Sequence, residues 1–112
     1  MTESEFHERA EAALQELELA VDEADLGVDC SRSGSVLTLE LENDTKVIVN
    51  TQLPMRQIWV AARSGGYHFA YDEGGRRWRD TRDGTELFAA LSRLLSEQGG
   101  RAVVLGRAPG RG

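Results

Sequence analysis

The sequence predicts an α+β fold, a two-layer α/β sandwich with two terminal helices packed on one face of an antiparallel sheet. Apolar residues near the N-terminus recur at three- and four-residue spacing, which is typical of an amphipathic helix. Several short segments of alternating apolar and polar residues follow at near ten-residue spacing, and a second helical stripe comes after them. Because each helix has one apolar stripe and one sheet face must be covered, we expect both helices on the same face.

The first helix is predicted from about residue 4 to residue 25. Ser4 is the expected N-cap, and acidic side chains near the helix start suit the positive end of the helix dipole. The residues that fall within one arc of roughly 100° are Phe6, Ala10, Ala13, Leu14, Leu17, Val21 and Ala24. The opposite arc is acidic, so this helix is expected to bury one face and leave the other in water.

Six strands are predicted from the alternation and from the turn residues between the segments. They span residues 28–32, 36–41, 46–50, 57–62, 67–71 and 76–79. In the fourth, Ile58, Val60 and Ala62 point one way and Trp59 points the other. If the aliphatic face is the core face, Trp59 is an exposed contact residue on the free sheet face; the alternative is that its own chain covers it.

The second helix is predicted to begin at Asp83 or Thr85 and to end at the pair Gly99-Gly100. Its expected apolar face consists of Leu87, Phe88, Leu91, Leu94 and Leu95. Residues 1–100 are therefore predicted to form a single domain, which suits a chain of 112 residues. In the tail, residues 101–112, the segment 102–105 is expected in the groove between the helices and the remainder is expected to be disordered.

Charge is unevenly spread along the chain. Ten acidic residues and one basic residue in the first 29 positions give that segment a formal charge of −9, whereas the remainder carries +3. An acidic pole argues for a cationic partner and against nucleic-acid binding. No apolar run reaches the roughly 20 residues that a membrane span needs, and the acidic start lacks a secretory signal, so we expect a cytosolic protein. The single cysteine, Cys30, excludes a disulfide within the chain and is expected to be a small buried residue.

Five carboxylates form what we call the acidic ridge: Glu11, Glu18, Asp22, Asp25 and Asp29. The first three lie within about 40° of one another on the helical wheel, and the other two continue the run into the first strand. Carboxylates without cysteine or histidine favour weak, solvent-shared binding of hard cations such as Mg²⁺, Ca²⁺, Mn²⁺ or iron. The alternative is a solvated helix face with no ligand.

A second group of polar and aromatic side chains is predicted on one face of the sheet. This sheet-surface cluster consists of Asn50, Gln52, Gln57, Trp59 and His68. Amide and indole groups are typical of protein-binding surfaces, because tryptophan supplies contact area together with one hydrogen-bond donor. His68 is able to titrate near neutrality, although a lone histidine beside aromatic residues is more often structural.

A resemblance to a known family rests on the same segments. The pattern N-x-Q-x-P-x-x-Q-I-W at residues 50–59, followed by Gly-Gly-Tyr-His-Phe at residues 65–69, resembles the signature of the frataxin family and in detail its bacterial branch. Further matching stretches are Ser-Glu-Phe-His at 4–7, Asp-Cys at 29–30, Val-Leu-Thr-Leu at 36–39 and Lys-Val-Ile-Val-Asn at 46–50. The resemblance covers roughly residues 3 to 98, and the elements come in the same order.

The resemblance implies weak, surface-bound iron, Fe²⁺ or Fe³⁺, on the helix edge and first strand. Glu18, Asp22, Asp25 and Asp29 match acidic positions of bacterial members, Glu3 and Glu23 match conservatively, and His7 is either an additional metal contact or a surface residue. Leu19 departs from the pattern, because bacterial relatives place an acid there, and the turn before Cys30 is shorter. Both departures suggest fewer or weaker iron sites.

The family also implies the function. We expect a non-enzymatic iron-binding regulator of iron–sulfur cluster assembly in the bacterial cytoplasm. It would dock on the cysteine desulfurase and the scaffold protein, without nucleic acid or membrane, mainly as a monomer with iron-dependent oligomers as a second state. One alternative is a ferroxidase or iron-storage protein, although no Glu-x-x-His ligand motif is found in the sequence. Another is a metal-independent acidic interaction domain.

Overall fold

A computed structural model describes residues 1–24 and 27–106 of the chain. Two helices flank six strands, in the order helix, six strands, helix. The elements are α1 (Glu3–Ala24), β1 (Asp29–Ser33), β2 (Val36–Glu40), β3 (Lys46–Gln52), β4 (Gln57–Ala62), β5 (Gly65–Asp72), β6 (Arg77–Asp80) and α2 (Leu87–Gly99). The predicted elements are all present; β3 and β5 are longer than expected, and α2 begins two or four residues after its predicted starts.

The strands form one six-stranded sheet in the order β1-β2-β3-β4-β5-β6, and every neighbouring pair is antiparallel. The predicted meander is therefore confirmed, and both helices pack on one face of it. β1 and β6 are the two edge strands of this sheet. Neither described helix is long and apolar enough to cross a membrane.

The core lies between the helices and one face of the sheet. The inward positions of the alternation are fully covered there, with Leu37, Val49 and Ile58 each at 0% exposure. Trp78 on β6 is also buried and makes edge-on ring contacts with Phe6, at 5.9 Å between centroids, and with Tyr71, at 5.3 Å. This tryptophan joins the N-terminal helix to the far edge of the sheet.

The N-terminus of α1 is capped by Thr2 and not, as predicted, by Ser4. The hydroxyl of Thr2 accepts a hydrogen bond from the backbone N–H of Glu5 at 3.1 Å, and the Glu5 carboxylate accepts one from the backbone N–H of Thr2 at 2.8 Å. This reciprocal pair satisfies two backbone donors at once. It also lowers the pKa of Glu5, mainly through the hydrogen bond from the Thr2 backbone.

The N-cap of α2 is Glu86, so the predicted caps Asp83 and Thr85 are wrong. The Glu86 carboxylate accepts hydrogen bonds from the backbone N–H groups of Phe88 and Ala89, at 2.9 and 3.2 Å. Asp83 instead accepts a hydrogen bond from the Thr85 backbone N–H at 2.9 Å, within the preceding turn, and this contact lowers the Asp83 pKa.

The C-terminus of α2 ends as predicted. Gly100 adopts a left-handed conformation with φ at 74°, and its N–H donates to the Ser96 carbonyl at 3.0 Å. Beyond it, Val103 and Leu105 are buried, and their backbone N–H groups donate to the hydroxyls of Ser96 and Ser92 at 2.8 and 2.9 Å. The segment 102–105, expected in the groove between the helices, contacts α2 through these two hydrogen bonds. The predicted disorder covers residues 106–112, of which only Gly106 belongs to the described residues, so it stays a prediction.

Gln98 ties α2 to the sheet. Its side-chain amide donates to the Thr45 hydroxyl at 2.9 Å and to the Lys46 carbonyl at 3.0 Å, and its oxygen accepts from the Arg63 N–H at 2.9 Å. The backbone carbonyl of Gln98 also accepts from the Asn43 amide at 2.9 Å. One buried polar residue therefore joins the end of α2 to the β2–β3 turn and to the end of β4.

Cys30 is exposed, so the expectation that it is buried is wrong. The alternation places it on the helix side of β1, paired with the buried Leu39 of β2. However, β1 is an edge strand, and the helix surface beside it carries carboxylates instead of apolar side chains. An inward position at the edge of a sheet is therefore not necessarily a core position.

Candidate functional site

The acidic side chains of α1 form a continuous charged surface on the helix. Among the predicted metal contacts on α1, Glu18 is half-buried, and the others are exposed: Glu3, His7, Glu11, Asp22 and Glu23. Successive members of the acidic ridge on this helix, Glu11, Glu18 and Asp22, are spaced by seven and four residues, which keeps them on one helix face. The structure thus confirms that α1 places these three carboxylates together.

An arginine from the sheet forms ion pairs with the first two members of the acidic ridge. Arg32 of β1 donates from Nη2 to Oε1 of Glu11, and from Nη1 to Oε1 of Glu18 at 3.1 Å. Its Nε donates to the Gly34 carbonyl at 3.1 Å. Two of the carboxylates predicted to bind metal are therefore engaged in ion pairs within the chain.

Cys30 lies on the same side of β1 as Arg32. Partial burial raises the pKa of the Cys30 thiol, and the negative charges of Glu18 and Asp22 raise it further. The thiol is therefore in its protonated form near neutral pH. It is a poor nucleophile and a poor metal ligand in this state, because the thiolate is the reactive and ligating form.

Asp29, the member of the acidic ridge on β1, is not brought to the α1 carboxylates. Asp29 pairs with Glu40 of β2, one residue out of step with Cys30, so it points to the sheet face away from the helices. Asp25 lies outside the described residues. Asp29 therefore lies on the opposite sheet face from the α1 carboxylates.

Within residues 1–24 and 27–106, no three His, Cys, Asp or Glu side chains converge as a group that would hold a metal ion. The chemistry of the donors nonetheless suits a hard cation, since the exposed groups are carboxylates. Separate, water-exposed carboxylates favour weak binding in which most of the metal's ligands are water molecules.

The sheet-surface cluster is assembled by the register of three neighbouring strands. Asn50 of β3, Trp59 of β4 and His68 of β5 lie directly opposite one another in a row across the sheet. Gln52 and Gln57 form the next row and pair across β3 and β4. All five predicted residues therefore share the sheet face that the helices leave uncovered.

Contacts within the sheet-surface cluster hold the Trp59 ring in place. The indole Nε1 donates to Oε1 of Gln57 at 2.7 Å, and the ring stacks on His68 with 4.3 Å between centroids and 9° between planes. Gln52 donates from its amide to Oδ1 of Asn50 at 3.4 Å. Trp59 is half-buried and lies outside the apolar core, so it presents a rigid aromatic surface at the solvent boundary.

The arginines of the β5–β6 region make contacts within the chain. Arg79 donates from Nε to the Asp72 carboxylate at 2.9 Å, and this contact is the main cause that lowers the Asp72 pKa. Arg82 lies over the Tyr67 ring at 5.3 Å and forms a long ion pair with Asp80, at 3.8 Å. Arg79 and Arg82 are therefore engaged in contacts within the chain.

Arg32 is a residue of this surface that the sequence analysis did not single out. A signal for it is present, because Arg32 occupies an inward position of the β1 alternation, where a charged side chain needs an opposite charge. Glu11 and Glu18, seven residues apart on one face of α1, are the acids that supply this opposite charge. Only the crossing of α1 over β1 shows that the three side chains meet.

Comparison with known proteins agrees with this geometry. Residues 1–101 match the model of the family described as Frataxin-like domain. The chain belongs to the frataxin-like family. Membership in this family accounts for the two helices on a six-stranded antiparallel sheet, which is the fold of the solved frataxins described below.

Two bacterial relatives show the degree of similarity. The chain is 54% identical over 110 residues to the iron-sulfur cluster assembly protein CyaY of Herminiimonas arsenicoxydans, with 94% of this chain and 96% of the relative covered. It is also 54% identical over 103 residues to the protein of the same name from Paraburkholderia phymatum, covering 92% and 96% of the two chains. The similarity therefore extends over nearly the whole length of each frataxin-like protein.

Solved frataxin structures share the fold. Frataxin from Psychromonas ingrahamii superimposes with a TM-score of 0.86 at 37% identity, covering 96% of this chain and 100% of that chain. A trimeric frataxin from the yeast Saccharomyces cerevisiae, complexed with ferrous iron, superimposes with a TM-score of 0.64 at 26% identity, covering 90% and 88%.

Proposed function

We propose that this protein is a non-enzymatic, iron-binding regulator of iron–sulfur cluster assembly in the bacterial cytoplasm. The observation that carries the proposal is the similarity to proteins named for iron–sulfur cluster assembly, at 54% identity over more than nine-tenths of the chain. The two surfaces described above supply the means, since one is acidic and the other is aromatic and amide-rich.

Iron is the proposed cargo of the acidic surface, held weakly as Fe²⁺ or Fe³⁺. The support is the oxygen-donor chemistry of α1 together with a yeast frataxin that was solved in complex with ferrous iron. The residues proposed to contribute are Glu18, Asp22, Asp25, Asp29, Glu11, Glu3, Glu23 and His7. Because exposed carboxylates keep the ion largely hydrated, we expect weak and plural binding.

The sheet-surface cluster is the proposed docking surface for the cysteine desulfurase and the scaffold protein. Trp59 is held by a stack and a hydrogen bond, so little conformational entropy is lost when a partner covers it. Asn50, Gln52, Gln57 and His68 supply donors and acceptors around the ring. The acidic ridge would contribute long-range attraction to a basic partner surface.

A paired binding measurement tests both surfaces. A purified bacterial cysteine desulfurase is titrated with the natural chain, with Trp59→Ala, and with Asp22→Lys, at about 0.1 M and about 1 M salt. The Debye length falls from about 10 Å to about 3 Å over that range, so the loss caused by Asp22→Lys should shrink as salt is added. The loss caused by Trp59→Ala should be about 2 kcal/mol or more at both salt concentrations, as for a buried aromatic hot spot.

Glu97→Lys is the matched control for Asp22→Lys. Glu97 is also an exposed helical carboxylate, but it lies on α2, away from the acidic ridge. The same charge change there should affect the affinity by less than the change at position 22. Equal effects of the two lysine variants would show that the affinity depends on the net charge of the protein and not on the position of the carboxylate on α1. Absence of desulfurase binding by the natural chain would remove the docking part of the proposal.

Metal titration separates the proposal from its two alternatives. Anaerobic Fe²⁺ titration should show weak binding that Asp22→Lys reduces and Glu97→Lys leaves nearly unchanged. In a separate titration in the presence of oxygen, oxygen consumption in step with Fe²⁺ addition would support a ferroxidase or storage protein instead. Partner binding without any detectable iron binding would support a metal-independent acidic interaction domain.

The proposed oligomeric state is mainly monomeric, with oligomers formed in the presence of iron. The yeast neighbour supports including the second state, because it is a trimeric frataxin complexed with ferrous iron. Sedimentation velocity with and without anaerobic Fe²⁺ measures this directly. A single species of unchanged mass at saturating iron would contradict the second state.

A further inference from the structure

The inference concerns Arg32 and the two carboxylates that it contacts. Arg32 is paired across the strands with Leu37, which is fully buried, so the guanidinium lies on the helix side of the sheet. An inward-pointing charge on an edge strand needs a partner of opposite sign. Glu11 and Glu18 of α1 supply it from the same helix face.

The guanidinium is held at three points by two separate elements. Glu11 and Glu18 accept from its two terminal nitrogens, while the Gly34 carbonyl accepts from Nε. The Arg32 side chain is 20% exposed, against 50% for Glu11 and 38% for Glu18. The cation is thus better shielded from water than either carboxylate, and the hydrogen bond to Glu11 is the main cause that raises the Arg32 pKa.

We propose that Arg32 is an internal counter-ion that withholds Glu11 and Glu18 from divalent cations and thereby limits the metal occupancy of the acidic ridge. The inference rests on the proposed function and deepens it, because it names the residue that sets how much iron α1 holds. Arg32 donates to Oε1 of each glutamate, so a cation that ligates either of these two oxygens must displace one arm of the guanidinium. A cation that ligates the second oxygen of either carboxylate comes close to the positive charge of Arg32 and is repelled by it.

The expected effect follows from the usual strength of such contacts. Two exposed or half-exposed ion pairs together correspond to about a tenfold change in an equilibrium constant. Replacing Arg32 by Gln should therefore tighten the binding of Mn²⁺ and of anaerobic Fe²⁺ by about tenfold. The variant should fold, because the two carboxylates that lose their partner are open to water.

Arg9→Gln is the matched control. Arg9 lies on α1 itself and also forms an ion pair, but its partner is Glu73 at 2.8 Å, in the turn between β5 and β6 and outside the acidic ridge. This variant removes one positive charge, as Arg32→Gln does, without releasing a carboxylate of the acidic ridge. We expect its metal affinity to stay within about twofold of the natural chain, since screened charges at a distance contribute little.

Amide NMR with Mn²⁺ gives a readout that a purely structural arginine would not change. In the natural chain, paramagnetic broadening should be weaker at Glu11, which is eleven residues from Asp22 on α1, than near Asp22. In Arg32→Gln it should extend to Glu11. Arg32→Lys keeps the charge but lacks the planar fork that grips both carboxylates, so it should give an intermediate affinity.

Three results decide the matter. Tighter binding in Arg32→Gln with broadening at Glu11 supports the inference. Metal binding by the natural chain with equal affinities of Arg32→Gln and Arg9→Gln overturns the inference and leaves the proposed function standing. No metal binding by any of the variants overturns the proposed iron cargo, and the inference with it.

Discussion

The two tryptophans of this chain offer a stringent test of how the sheet faces are assigned. Trp59 is half-buried on the face away from the helices, whereas Trp78 is buried in the core. Replacing each by Ala removes the same atoms from the same protein. We expect Trp59→Ala to cost a minor part, and Trp78→Ala a major part, of the free energy of unfolding.

The magnitudes follow from the contacts of each ring. Trp59 would lose the stack on His68, which is worth about 0.5–1.5 kcal/mol, and the hydrogen bond to Gln57, which is worth about 1 kcal/mol. The sum is about 1.5–2.5 kcal/mol. Trp78 would leave a cavity against Phe6 and Tyr71, for which the usual cost is about 3–5 kcal/mol.

Thermal and urea unfolding measure the difference. In a domain of about 100 residues, 1 kcal/mol lowers Tm by roughly 4–8 °C, so Trp59→Ala should lie about 6–20 °C below the natural chain. Trp78→Ala should lie well below that or be unfolded at room temperature. Equal losses in the two variants would show that Trp59 is a core residue and would refute the docking surface. An unchanged Tm in Trp59→Ala would show that the stack on His68 is not formed.

Three further predictions concern other parts of the fold. Gln98→Ala should lower the free energy of unfolding by about 1–3 kcal/mol, because the three hydrogen bonds of the buried Gln98 side chain are lost; urea unfolding measures it, and a change below about 0.5 kcal/mol would contradict it. Cys30 should react with iodoacetamide at pH 7.5 more slowly than a cysteine peptide, and faster after Asp22→Asn, because that carboxylate raises the thiol pKa; equal rates in both forms would exclude the effect. Asp72, whose folded pKa is lowered, should stabilise the fold fully above its ordinary pKa of 3.8 and progressively less as the pH falls below it. Unfolding midpoints of Asp72→Asn should therefore fall below those of the natural chain at pH 7 and converge with them in acid, and a constant difference would refute the assignment.

Much of the fold could be predicted because periodicity reports which residues share a face. The alternation through Ile58, Trp59 and Val60 placed the aliphatic pair in the core and the indole on the other side, as the structure shows. The stripe on α1 and the turn residues between strands predicted the helix and the meander for the same reason. These features depend on neighbours within a few residues, which the sequence displays directly.

The helix caps show where local patterns stop being sufficient. Ser4 and Thr2 are both good capping residues, and so are Asp83 and Thr85. Which one caps depends on the path by which the chain enters the helix, and that path is set by the packing of the helix on the sheet. Thr2 and Glu86 are the caps because the backbone turns there.

The acidic ridge was only partly determined by the sequence. The charge of α1 and the shared face of Glu11, Glu18 and Asp22 follow from composition and helical spacing alone. That Cys30 is exposed, that Asp29 points to the opposite sheet face, and that Arg32 grips two of the acids follow from the edge position of β1 and from α1 lying across it. The 3.6-residue period of a helix and the 2-residue period of a strand determine which way a side chain points, but only tertiary packing determines which groups it contacts.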